Sequence, residues 1–215
     1  HVSRLLLNGS TVIGVEVQRN GQIQRYMADR EVILSLGAVN TPKVLMQSGI
    51  GPHDELHRHG IAPVQDLPGV GENHQDHVSF GCIFEYRQAQ PVGHGGSEAT
   101  LYWSSDPSLA LPDMFHCQVE FPVPSAETAA MGVPEHGWTM FAGIAHPKSR
   151  GRVKLSGPGP FDPVLFDART LSHPDDMKTA LANIELCRAL GAHPAMASLV
   201  KREALPGLRH RKGME

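Results

Sequence analysis

Gly37-Ala38-Val39-Asn40-Thr41-Pro42-Lys43-Val44-Leu45-Met46-Gln47-Ser48-Gly49-Ile50-Gly51 is the stretch on which the fold turns. It reads as a strand end, a glycine turn, a capped helix and a second glycine turn. Asn40 or Thr41 can accept from the free amides of the first helical turn, and Pro42 suits the first helical position. Val44, Leu45 and Ser48 fall on one face, and Gly49 can stop the helix in the left-handed conformation. Small residues at Gly37 and Ala38 let the backbone approach a ligand closely. The unpaired amides of the helix start suit a phosphate or another electron-rich group. On these residues alone, a plain β–turn–α connection with no ligand is the better account of the pattern.

Working outward, residues 31–36 read as a compact apolar strand built on Val32, Ile33 and Leu34. Residues 2–7 form a short apolar run. Residues 11–18 alternate as a half-buried strand, with Ile13, Val15 and Val17 on one face and Val12, Gly14 and Glu16 on the other. Asn20-Gly21 is the preferred pair for a tight hairpin, with residues 22–26 as the return. Downstream, a second short helix spans 53–59 and is closed by Gly60, and the Pro- and Gly-rich residues 66–71 read as a structured loop.

After about Asp76 the character changes. Residues 78–86, 115–123, 138–145 and 152–155 read as strands, 88–97 as a Gly-rich polar loop and 125–136 as another. Ser172-His173-Pro174-Asp175 opens the clearest helix, with Ser172 and Asp175 placed as a capping box. Asp175 and Asp176 complement its dipole. Met177, Ala180, Leu181, Ile184 and Cys187 form the core stripe, and Gly191 terminates it. Residues 209–215 read as a loose polar tail.

Composition removes several classes of function. With 40% hydrophobic and 19% charged residues over 215 positions, the chain can bury a core and is not disordered. A formal charge of −3 argues against an electrostatic nucleic-acid binder. No apolar run reaches the about 18 residues of a membrane span. Cys82, Cys117 and Cys187 are far apart and make no CxxC pair, which disfavours a zinc ribbon and suits free thiols in a reducing, cytoplasmic setting. No Gly-x-Ser-x-Gly or Walker-type loop is present.

The run 37–51 resembles the second signature of the glucose-methanol-choline (GMC) family of flavin-dependent alcohol oxidoreductases. The likeness extends to Glu31-Val-Ile-Leu-Ser35 before it and to His59-Gly60-Ile61, Asp66-Leu-Pro-Gly-Val-Gly71 and Gln75-Asp76-His77 after it. Leu111-Pro112-Asp113 and His146-Pro-Lys-Ser149-Arg150-Gly151 resemble later family blocks, in family order, and choline-dehydrogenase-like members are the most similar. The family's opening Gly-x-Gly-x-x-Gly turn has no counterpart here; Gly69-Val-Gly71 only starts like one. The family's C-terminal catalytic His segment has none either. The resemblance therefore implies an internal portion of such an enzyme. A natural non-catalytic binding or interaction module of the same fold is the alternative.

That resemblance implies a mixed α/β and α+β fold. Residues 1–76 would be a partial FAD-binding domain, and 77–215 a substrate domain with an antiparallel sheet and flanking helices. It implies FAD as cofactor, touched by the backbone of Val2 near the adenine and by Ser35, Gly37 and Ala38 near the ribose and pyrophosphate. Leu36 departs from the small residue usual at its position, and an ordinary core valine is the other reading of Val2. The implied partners are a small-molecule alcohol and the remaining portions of the parent chain, with no nucleic acid and no membrane span. The implied chemistry is hydride transfer from an alcohol carbon to flavin N5, with a base taking the hydroxyl proton. No residue of this chain is assigned as that base, and no metal site is assigned. His53 and His57 read as a solvated helix face rather than a metal pair. Asp76 and His77 read as structural hydrogen-bonding residues. His94, His116, His136 and His146 stand alone. Trp103, Trp138, Phe80, Phe84, Phe115 and Phe141 are divided between core and a substrate cavity.

Overall fold

A computed structural model describes residues 1–93, 95–97 and 99–207. His94 and the tail 209–215, both named above, lie outside the described residues. In chain order the first elements are β1 (Val2–Asn8), β2 (Thr11–Arg19), β3 (Gln22–Met27), α1 (Gly37–Gln47), β4 (Ile50–Gly51), α2 (His53–Arg58), β5 (Gln65–Asp66) and β6 (Glu72–His74). There follow β7 (Ser79–Tyr86), β8 (Thr100–Trp103), β9 (Met114–Val119) and β10 (Gly137–Ile144). The last are β11 (Gly151–Leu155), β12 (Val164–Asp167), α3 (Pro174–Gly191) and β13 (Val200–Leu205). The fold is mixed α/β, dominated by antiparallel sheets, and divides into two compact units: His1–Gln75 with Arg150–Thr170, and Asp76–Ser149 with Leu171–Glu215. The chain thus returns to the first unit over 150–170, a return the linear division at residue 76 does not contain.

In the first unit, β1, β2 and β3 make a three-stranded antiparallel sheet. Asn20 and Gly21 turn the hairpin with φ of 51° and 75°, the positive values such a tight turn requires. The buried positions of β2 are Gly14 and Glu16, not its valines. Gly14 lets β3 pass close, since a Cβ there would lie 2.3 Å from the Tyr26 carbonyl oxygen. Glu16 is buried because it is paired: Arg4 Nε and Nη2 donate at 3.1 Å each and Arg25 Nε at 3.4 Å. The Arg4 guanidinium beside it holds its carboxyl below the usual range, against the burial that raises it.

Residues 31–36 form no strand, and Ile33 is 78% exposed. A strand is defined by its ladder, and no neighbouring strand among the described residues pairs with this segment. The helix α1 begins at Gly37, so Pro42 sits in its interior rather than at its start, and neither Asn40 nor Thr41 caps it. The Thr41 hydroxyl instead accepts from the Leu36 amide at 3.1 Å. Gly49 ends the helix at φ +81°, where a Cβ would meet the Ala62 carbonyl oxygen at 2.5 Å. Ser48 Oγ accepts from the Leu5 amide at 2.8 Å and so ties α1 to β1. In α2, the buried Glu55 accepts from the Leu155 amide at 3.0 Å, and Met46, Leu56 and Leu155 form the local core.

In the second unit, five antiparallel strands run in the order β13-β7-β10-β9-β8. The helix α3 packs on one face, burying Cys82, Phe84, Trp138, Ala142 and Cys187. Phe84 and Trp138 stack at 4.6 Å. The cap of α3 is His173, whose Nδ1 accepts from the Asp175 amide at 3.2 Å, and not Ser172. The stripe is also rotated: Met177 is 44% exposed, while Asp176, Thr179 and Asn183 are buried. Burial of these polar side chains follows from their partners. Asp176 accepts from the amides of Lys148 and Ser149 at 2.7 Å each and from Ser149 Oγ at 2.5 Å. Asn183 Nδ2 donates to the carbonyls of Thr179 and Gly143. The short strand β8 and the charged strand β13 were not among the expected elements.

Candidate functional site

Two surfaces have the makings of a site, one in each unit. In the first, Gly37 and Ala38 open α1, and both are exposed, as is Ser35. Gly37 has φ +79°, with no atom within 4 Å of where a Cβ would stand. The first turn carries no acidic residue and no side-chain cap. The first amides of a helix have no intrahelical partner, and the dipole makes this end positive. An open, uncapped, glycine-led helix start is therefore chemically suited to the phosphates of a dinucleotide. Val2 starts β1, is half-buried and pairs with Val17. The hydrogen bond that joins β1 to α1 runs through Leu5 and Ser48, at the other end of α1 from Gly37.

In the second unit, alternation sorts the candidate aromatics. Phe84 and Trp138 are each 2% exposed in the core under α3, and Phe80 packs against them. Phe115 and Phe141 point to the opposite face and are half-buried. Tyr102, which sequence reasoning did not single out, joins them from β8, paired with Phe115. The period-two pattern of β9, read with its register, was the signal that could have found it. Trp103 is exposed. One end of this face is covered, since Thr139 Oγ1 donates to the Phe121 carbonyl at 2.9 Å and accepts from the Val123 amide at 2.8 Å.

The histidines separate by environment. His53 and His57 stack at 6.1 Å along α2. Asp76 accepts from the His77 backbone amide at 2.8 Å, and the His77 ring lies 5.1 Å from Phe115. His116 is 1% exposed, with Nε2 3.5 Å from the Asn183 carbonyl. Burial pushes its pKa below the ordinary histidine value, so it is neutral near pH 7. His136 and His146 are exposed. Among the described residues no three or more His, Cys, Asp or Glu side chains are grouped to hold a metal ion. All three cysteines are free. Contact with Cys82, and then burial, push the Cys187 thiol up.

The comparisons with known proteins point one way. The chain is 35% identical over 235 residues to an alcohol dehydrogenase [acceptor] of Pseudomonas putida, covering 96% of this chain and 42% of that protein. It is 36% identical over 200 residues to choline oxidase of Arthrobacter globiformis, covering 87% of this chain and 35% of that protein. Its fold superposes on the formate oxidase of Aspergillus oryzae, a structure described for its FAD modification, with a TM-score of 0.79 and 25% identity over 96% of this chain and 45% of that one. The chain thus spans about two fifths of the length of the relatives it matches. No helix among the described residues is long and apolar enough to cross a membrane. Two GMC oxidoreductase family models, amino-terminal over residues 1–79 and carboxy-terminal over 147–214, match in that order along the sequence, and the chain belongs to the GMC oxidoreductase family.

Proposed function

We propose that this chain is part of an FAD-dependent oxidoreductase acting on CH–OH groups, with the first unit (His1–Gln75 and Arg150–Thr170) contributing to the FAD-binding domain and the second (Asp76–Ser149 and Leu171–Glu215) to the substrate domain. The observation that carries this reading is the open start of α1 inside the amino-terminal family match. There, the amides from Gly37 onward would bind the pyrophosphate region, Ser35 would lie beside the ribose, and the Val2 backbone would meet the adenine. FAD, when bound, supplies a hydride acceptor at N5. The half-buried aromatic face of the second unit would hold the carbon body of a small alcohol and exclude water from it. No side chain of this chain is assigned the proton abstraction. Free cysteines support a cytoplasmic setting.

The test is anaerobic mixing of the full-length protein with primary alcohols while the visible flavin absorbance is followed. The reading expects a flavin-coloured protein whose absorbance bleaches with alcohol. A full-length protein that carries flavin but is not reduced by any alcohol favours a non-catalytic module instead. A protein without flavin would overturn the reading altogether.

A further inference from the structure

We propose that Thr41 is a positioning residue for the flavin dinucleotide: its hydroxyl holds the turn 35–37 against the start of α1, so that the amides meeting the ribose and pyrophosphate are in place before FAD binds. This rests on the reading that the first unit binds FAD, and it concerns a side chain that acts through the turn and not by touching the cofactor.

A threonine at a helix start ordinarily caps it, its oxygen accepting from amides of the first turn. Thr41 is the fifth residue of α1, too far along for that, and α1 has no side-chain cap. Its Oγ1 accepts instead from the Leu36 amide at 3.1 Å. Leu36 is the N-cap residue, with φ −86° and ψ 8°, and Gly37 follows at φ +79°. The bond therefore runs backwards across the helix start and closes the turn by which the chain enters α1. This choice of donor has a consequence. The first amides of α1 keep no side-chain partner and stay available to an electron-rich ligand, while the amide just before them is taken up by the fold.

The tether matters because the segment leading into it has no other. Ala28 N donates to the Ile13 carbonyl at 2.9 Å at the end of the hairpin. Beyond it, the backbone of residues 29–35 makes no hydrogen bond among the described residues, and Ile33 is 78% exposed. On the open side of the turn, no atom lies within 4 Å of where a Cβ on Gly37 would stand. The conformation of 35–37 is thus set by the left-handed φ of Gly37 and by the Thr41 hydroxyl. A turn already held in its binding geometry loses less freedom on association. When the competent geometry is depopulated, the apparent dissociation constant rises by the same factor. One neutral hydrogen bond is worth about three- to tenfold in such a population.

The experiment titrates FAD into the flavin-free full-length protein and follows the quenching of flavin fluorescence. Thr41→Val keeps the shape, removes the acceptor and should raise the dissociation constant about three- to tenfold. Thr41→Ser keeps the hydroxyl and should stay within about twofold of wild type. Leu36→Pro removes the donating amide from the other side, at a φ close to proline's own. It should weaken binding by a similar factor, and the double variant should be no weaker than either single one. It also serves if Thr41→Val fails to fold. Hydrogen exchange of the peptide covering 31–40 gives a reading without the cofactor: protection of the Leu36 amide should be lost in Thr41→Val and kept in Thr41→Ser. Wild-type affinity in Thr41→Val, an equal loss in Thr41→Ser, additive losses in the double variant, or unchanged exchange would each overturn the inference while leaving the FAD-binding reading intact. A wild-type protein that takes up no FAD would overturn both.

Discussion

Asp176 offers the sharpest test of how the second unit is held. It is 2% exposed, in the first turn of α3. Its carboxylate accepts from two amides and a hydroxyl of the connection between β10 and β11. The Ser149 hydroxyl in turn accepts from the His173 amide at 3.0 Å. Burial raises the carboxyl pKa, but the hydrogen bonds from Lys148 and Ser149 outweigh it, and the net shift is downward. A hydrogen bond to a charged group is worth about 1.5–3 kcal/mol, and each donor left unpaired costs about 1–3 kcal/mol. Allowing water to reach part of the vacated site, Asp176→Ala should destabilise the protein by about 3 kcal/mol, within the usual ceiling for a broken buried network. For a chain of 215 residues that corresponds to a fall in melting temperature of roughly 6–12 °C. Asp176→Asn should cost less, because it keeps one acceptor. The carboxylate's stabilisation is fully present above its unfolded pKa of about 3.9 and is lost as pH falls through the lower folded value. Wild type should therefore lose stability on the acid side of about pH 4 more steeply than Asp176→Asn. Thermal melts followed by tryptophan fluorescence between pH 3 and 7, on the order of one pH unit apart, measure both effects. A change below about 1 °C for Asp176→Ala would refute the reasoning, because no buried charged network costs so little to break.

Two further outcomes follow from the same unit. A Cβ on Gly191 would lie 2.2 Å from the Phe84 ring, so Gly191→Ala should disturb the Phe84–Trp138 stack and cost about 1–3 kcal/mol by overpacking, visible as a lower melting temperature and a changed near-UV signal from Trp138. Cys82 and Cys187 are fully buried and Cys117 is partly exposed, so a thiol reagent should label Cys117 in the native protein and all three residues only after denaturation; rapid native labelling of Cys187 would contradict the packing.

Local rules carried much of this architecture. Asn20-Gly21 makes its hairpin and Gly49 and Gly60 end their helices with positive φ because each requirement lies within a few residues. Elements defined by partners were less legible. Residues 31–36 have strand-like composition but no ladder among the described residues, whereas charged β13 becomes a strand because β7 pairs with it. Ala180 and Cys187 of the expected stripe are buried, but hydrophobicity alone ranks Met177 above Asp176, while the structure buries Asp176 because it has three donors. Pro42 was placed at a helix start that lies five residues earlier, at Gly37. At the candidate site, the glycine turn was legible as a motif. Sorting Phe115 and Phe141 from Phe84 and Trp138 needed the strand register.

The most direct measurement is the FAD content of the purified full-length protein beside that of its Ala38→Asp variant. A carboxylate in the first turn stabilises the helix itself, so folding should be kept, while its charge opposes a phosphate at the same amides. The wild-type chain should retain about one FAD and the variant at least tenfold less tightly, an energy of the order of one charge interaction near the surface. Equal flavin content in the two proteins, or none in either, would contradict it.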